Sequence, residues 1–201
     1  MAVSSREIET SHGPARVHLD APRDARGLIV LGHGAGGGVG APDLVRAELE
    51  ARKAGMATAL VEQPYRVAGR RSPAPAKQLD AAWIAVIADL RARDLGGGPL
   101  ITGGRSSGAR VACRTAAESS ADAVLCLAFP EHPPGKPEKS RQDELDAVEA
   151  PVLVIQGQSD PFGMPQGGGQ REIVAIKGNH GLKSDLDGLG EAVAGWLSRM
   201  L

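Results

Sequence analysis

Short apolar runs alternate with longer stretches of helical period along most of this chain. GLIVL (27–31), ATALVE (57–62), PLIT (99–102), AVLCLAF (123–129), PVLVIQ (151–156) and EIVAIK (172–177) are rich in Val, Ile and Leu and carry little polar alternation. Runs of this kind predict strands buried on both faces, and hence a mostly parallel sheet. Between them, Leu79, Trp83, Val86, Ile87 and Leu90 recur at i, i+4, i+7, i+8 and i+11, the stripe of an amphipathic helix. Leu186, Leu189, Val193, Trp196 and Leu197 repeat that stripe near the C-terminus, and another helix is expected to start near Pro42 and Asp43. A further helical stretch carries the small residues Ala109, Ala112, Cys113, Ala116 and Ala117, which suit close packing at the centre of a fold. Residues 5–10 and 15–20 read as two strands joined by the turn Ser11-His12-Gly13-Pro14, an antiparallel N-terminal edge. Residues 63–75, rich in Pro and Arg, predict a loop. The alternation implies an α/β fold with helices on both faces of the sheet, formed by residues 1–201 as one domain.

Candidate chemistry sits where these strands end. Gly104-Arg105-Ser106-Ser107-Gly108 fits GxSxG between an apolar strand and a helical stretch. A serine there occupies a strained turn, and the flanking glycines are needed because a Cβ would collide with the neighbouring strand and helix. The strand at 151–156 runs into Gly157-Gln158-Ser159-Asp160-Pro161, and the strand at 172–177 into Gly178-Asn179-His180-Gly181. Residues just beyond successive parallel strands share one sheet edge, so Ser106, Asp160 and His180 are expected to converge as nucleophile, orienting acid and base. Taken singly, Ser106 reads as a small turn residue, Asp160 as a helix cap and His180 as a turn histidine. Taken jointly, in this order and register, they read as a triad.

Upstream, the strand at 27–31 enters Gly32-His33-Gly34-Ala35-Gly36-Gly37. The backbone amides of Ala35 and Ser107 are the expected oxyanion donors, and His33 the expected support of that loop. The same glycines also fit GxGxxG, a dinucleotide-binding pattern. The expected helix start near Pro42 comes too late for its N-terminus to hold a pyrophosphate. Arg105 is a candidate contact for an acyl group bearing a carboxylate, or a scaffold partner of Glu131 or Glu62. His132, in the proline-rich segment 130–137, is a candidate substrate contact at the rim, while His12 and His18 read as surface residues of the edge hairpin.

Composition narrows these readings. With 201 residues the chain is long enough for a full core and too short for a large cap. The formal charge of −1, with both signs interspersed, offers no basis for binding nucleic acid or an anionic membrane surface. The polar N-terminus and the lack of a long apolar run predict a cytoplasmic protein without membrane contact. Cys113 and Cys126 form no CxxC and fall at core positions, so free buried thiols are expected. No residue pattern calls for a cofactor or a metal.

The segments LGHGAGG (31–37), EQPYR (62–66), GGRSSGAR (103–110), FPEHPPGKPEK (129–139), QGQSDPFG (156–163) and NHGL (179–182) together resemble the small capless α/β-hydrolases of dienelactone-hydrolase-like build. More narrowly, they are similar to bacterial relatives of the hydrolase-like domain of a subunit of the nonspecific-lethal chromatin complex. The resemblance implies the α/β-hydrolase fold, the triad Ser106, Asp160 and His180, and no defined substrate. The expected function is an esterase-like serine hydrolase acting on a small ester, thioester or related acyl compound. The alternative is a binding or scaffolding module that keeps the fold without turnover.

Overall fold

The computed structural model describes residues 4–93 and 95–201. Among these residues, β1 (Ser4–Ile8), β2 (Ala15–Asp20), β3 (Leu28–Gly32), β4 (Ala57–Glu62), β5 (Leu100–Arg105), β6 (Ala123–Leu127), β7 (Val152–Gly157) and β8 (Arg171–Ile176) form one eight-stranded sheet in the order β1-β2-β4-β3-β5-β6-β7-β8. The pairs β1–β2 and β2–β4 are antiparallel and every other pair is parallel, so the antiparallel N-terminal edge is present as expected. Among the described residues five helices lie between strands, α1 (Pro42–Lys53), α2 (Pro64–Val67), α3 (Ala76–Arg91), α4 (Ser107–Thr115) and α5 (Gln142–Asp146), and α6 (Leu186–Met200) follows β8.

Alternate residues of the central strands face opposite layers. Ile29, Leu31, Leu125, Leu127, Leu153 and Ile155 pack with Leu44 and Ala47 of α1 and with Leu189, Val193 and Trp196 of α6. On the other face Val30 packs with Leu79, Trp83 and Val86 of α3, while Val124, Cys126 and Val154 meet Ala109 and Ala112 of α4 and Leu145 of α5. Burying each such Val, Leu or Ile is worth about 1.5–3 kcal/mol relative to exposure. A one-residue slip would exchange the two layers, so this burial also fixes the register. Arg114 of α4 pairs with Asp80 of α3 at 2.6 Å, and Arg110 of α4 pairs with Glu144 of α5. These ties hold the helix that follows β5 against its neighbours.

Two local features differ from the sequence reading. Within the predicted loop at 63–75 the chain makes the single turn α2, because Pro64 at the first helical position supplies the required φ and needs no N–H. Strand β5 continues past residue 102 to Arg105, since Gly103 and Gly104 pair with Leu125 and Cys126. A Cβ on Gly103 would lie 2.3 Å from Leu125 O, so glycine is what lets the ladder run to the elbow. Between β6 and β7 only the segment around α5 intervenes, with no inserted cap. Cys113 and Cys126 are free and buried, their sulfurs 3.5 Å apart. Among the described residues, no helix is long and apolar enough to cross a membrane.

Candidate active site

Strands β3 and β5 lie side by side in parallel with Gly32 opposite Gly104, so the loops leaving them emerge together at one sheet edge. At the end of β5 the chain turns sharply into α4. Ser106 sits in that turn with φ +52° and ψ −108°, a backbone conformation disfavoured for residues with a Cβ. Its N–H donates to Leu127 O of β6 at 2.9 Å, which pins the strained residue to the sheet. The glycines beside it are sterically required. A Cβ on Gly104 would lie 2.4 Å from Gly32 O, and one on Gly108 would lie 2.4 Å from the same oxygen and 2.9 Å from His33 O.

The loops after β7 and β8 bring the other two residues to this point. His180 Nε2 lies 2.9 Å from Ser106 Oγ, and His180 Nδ1 lies 2.8 Å from Asp160 Oδ2. A carboxylate can only accept, so Nδ1 carries the proton and Nε2 of the neutral ring is left to accept from the hydroxyl. The Asp160 side chain is fully buried, and Phe162 N donates to its Oδ1 at 2.9 Å. The Phe162 ring lies over the imidazole with centroids 4.1 Å apart, which restricts the imidazole from one side.

Gln156, fully buried at the end of β7, has no role in the sequence reading beyond closing the strand at 151–156. Its Nε2 lies 2.9 Å from Asp160 Oδ2, 3.0 Å from Phe129 O and 2.8 Å from Gly163 O. Three acceptors around one nitrogen fix the amide orientation, since the flipped rotamer would face them with another acceptor. Gln156 thus ties the acid, its loop and the end of β6 together. Its polar character at the close of an apolar run was the available signal.

The loop after β3 is built to hold its shape. His33 Nε2 accepts from Gln63 N at 3.1 Å, which leaves Nδ1 to donate to Gly34 O at 2.8 Å. Burial holds the His33 pKa below its usual 6.5 and favours this neutral form. Tyr65 of α2 donates its hydroxyl to Ala35 O at 2.8 Å. Among the described residues neither Ala35 N nor Ser107 N donates to a protein oxygen, so both expected oxyanion amides are free. The glycine run does not open a helix directly, because α1 starts only at Pro42. A pyrophosphate on the run would lie off the helix N-terminus, against the dinucleotide reading.

Arg105 pairs with neither Glu131 nor Glu62. Glu62 meets His18, read as a surface residue and here half-buried, at 2.7 Å, and Glu131 accepts from Ser140. Arg105 Nε instead lies 3.0 Å from Oδ2 of the fully buried Asp43 in the first turn of α1. The contact is an ion pair that is not aligned as a hydrogen bond. Burial holds the Asp43 carboxyl above its usual pKa even though Arg105 pulls the other way. Sequence reasoning missed this partner because Asp43 read only as a helix start.

His132 packs against the acid loop: its N–H donates to Phe162 O at 2.9 Å, and its ring occupies the space a Cβ on Gly163 would need. A groove of about 550 Å³ opens beside Arg105, lined by Gly34, Gly36, Gly38, Asp43, Arg105 and Lys183, and neither Ser106 nor His180 is part of that lining. His132 is not part of that lining. Among the described residues, no cluster of His, Cys, Asp and Glu could hold a metal ion.

A serine on a strand-to-helix elbow, with an acid and a histidine on the ends of later parallel strands, defines the α/β-hydrolase class. The chain belongs to the alpha/beta hydrolase domain family, whose model matches residues 25–182. XC6422 from Xanthomonas campestris, a member of the α/β serine hydrolases without lid, is similar with a TM-score of 0.83 and 23% identity, covering 100% of this chain and 96% of that one. Est1E from Butyrivibrio proteoclasticus is similar with a TM-score of 0.78 and 17% identity, covering 98% of each chain. A dienelactone hydrolase from Anabaena variabilis is similar with a TM-score of 0.72 and 20% identity, covering 99% of this chain and 96% of that one. At such identities the likeness establishes the fold alone, here the capless, dienelactone-hydrolase-like build. No curated protein matches the chain. Nothing in these matches bears on the chromatin-complex subunit.

Proposed function

We propose that this protein is an esterase-like serine hydrolase that cleaves a small ester, thioester or related acyl substrate through an acyl-serine intermediate. The observation that carries the reading is the unbroken hydrogen-bonded chain Ser106 Oγ, His180 Nε2, His180 Nδ1, Asp160 Oδ2, with links of 2.9 and 2.8 Å. His180 takes the hydroxyl proton as Ser106 attacks the acyl carbon, and Asp160 stabilises the imidazolium that forms. The free amides of Ala35 and Ser107 are the groups suited to the oxyanion of the tetrahedral intermediate. His180 then gives its proton to the leaving alcohol or thiol. Water, deprotonated by the same histidine, attacks the acyl-serine, the Ser106 oxygen recovers the proton, and the carboxylic acid departs.

With only the segment around α5 between β6 and β7 and no covering cap, the site suits a small acyl group with access from solvent. A fluorophosphonate should label the wild type and p-nitrophenyl esters of short acyl chains should turn over. Ser106→Ala should abolish both with its melting temperature nearly unchanged, because the hydroxyl is not part of the core. A folded wild type that ignores the probe over hours, with no turnover above the Ser106→Ala background, would replace the enzyme by a binding or scaffolding module.

A further inference from the structure

Three loops must keep a common geometry for the site described above, and one side chain touches all of them. Arg105 is the residue before Ser106 and belongs to the elbow itself. Its Nη2 donates to the backbone carbonyl of His180 at 3.0 Å, on the loop that carries the imidazole. Its Nη1 fills the space over Gly34, where a Cβ would lie only 2.7 Å away, so it also bears on the loop expected to supply an oxyanion amide. Its Nε faces Oδ2 of Asp43, whose side chain is completely buried at the start of α1. The guanidinium is thus held in place by a charge that cannot reach water.

From this arrangement we infer that Arg105 is a positioning residue for the reaction: clamped by Asp43, it locks the base loop and the glycine loop to the nucleophile elbow. The inference rests on the serine-hydrolase reading of the site, and it assigns Arg105 a task other than binding substrate. A planar guanidinium with separate nitrogens serves all three neighbours at once, which a lysine ammonium on a flexible stem does not. Misplacing a reacting group by about 1 Å can cost on the order of 100-fold in rate. Loss of the clamp should therefore appear in the acylation rate and much less in the binding of small esters.

Removing Arg105 alone would strand the buried Asp43 carboxylate and confuse loss of fold with loss of rate. Two variants avoid this. Arg105→Lys keeps a positive charge near Asp43, and Arg105→Met/Asp43→Asn removes both charges together. Each is compared with the wild type by its denaturation midpoint, by its rate of fluorophosphonate labelling well below that midpoint, and by the low-field proton resonance of the His180 Nδ1–H. The expected result is a midpoint close to the wild type in at least one variant and labelling slower by about 10- to 100-fold in both. KM for a small ester should stay within about threefold, and the His180 resonance should be shifted or broadened.

Folded variants that label at the wild-type rate with an unchanged resonance would overturn the inference and leave Arg105 a scaffold residue. The resonance separates the two claims. If the wild type itself resists the probe, the hydrolase reading fails, while a His180 signal that still moves in both variants upholds the clamp and one that does not refutes it.

Discussion

Replacing Gln156 by leucine tests whether the acid of the proposed triad is held by the side chain that closes β7. The amide has two N–H groups shared among Phe129 O, Asp160 Oδ2 and Gly163 O. Two of these acceptors have other donors: Glu131 N donates to Phe129 O at 3.0 Å, and His180 Nδ1 to Asp160 Oδ2 at 2.8 Å. Gly163 O is left orphaned, at a cost of about 1–3 kcal/mol, and the lost bond to the carboxylate adds about 1.5–3 kcal/mol. Against this, leucine removes Gln156 Oε1, which is buried without a partner, relieving about 1–3 kcal/mol. The balance is a destabilisation of about 2 kcal/mol, or about 4–8 °C in melting temperature for a chain of this size. Asp160 keeps its bond from Phe162 N but can turn away from His180, so fluorophosphonate labelling at 20–30 °C below the midpoint should slow by about 10-fold or more. Gln156→Glu, which sets an acceptor among acceptors, should be less stable than the leucine variant. A leucine variant that melts and labels like the wild type would show that the acid loop holds itself and that the argument from shared acceptors is wrong.

Helix propensity predicts that Gly108→Ala in α4 should stabilise by about 1 kcal/mol, whereas the new Cβ would lie 2.4 Å from Gly32 O and 2.6 Å from Gly32 C. Backbone cannot yield cheaply, so we expect a net loss of about 2 kcal/mol or more in urea denaturation; a gain in stability would refute the contact. His33 has a folded pKa held below 6.5 by burial, so the unfolded chain binds more protons than the folded one between the two values. Its contribution is fully present above about pH 6.5 and is lost as pH falls towards the folded pKa. The wild type should accordingly lose more melting temperature between about pH 7.5 and pH 5.5 than His33→Asn does, and parallel curves would count against a buried neutral imidazole.

Strand ends were legible because the sheet is buried on both faces. Uninterrupted apolar runs mark such strands, and the polar residue that follows each run then marks the functional edge. Ser106, Asp160 and His180 could be placed in that way, as could the glycines that bring Gly32, Gly104 and Gly108 together. The supports could not. Arg105 finds Asp43 and the His180 carbonyl across long sequence separations, and Tyr65 reaches Ala35 O from a turn of helix hidden in a proline-rich stretch. No period or spacing encodes such contacts, since they depend on how loops fold over the completed sheet. Gln156 closes a strand and could be read only as its last residue. His132, read as a candidate substrate contact at the rim, is packed against Gly163.

The hydrogen bond from Ser106 N to Leu127 O makes the elbow a further rung of the β5–β6 ladder, not a free loop. A serine fixed in this way takes its coordinates from the sheet, while the groove beside Arg105 is lined largely by the segments after β3 and β8. Side chains on these segments can be exchanged without moving Ser106, whereas a change of length would displace the Ala35 amide or the His180 ring. For engineering, substrate range can be searched by varying rim side chains at fixed loop length, and selection on such a library would spare the residues of the ladder.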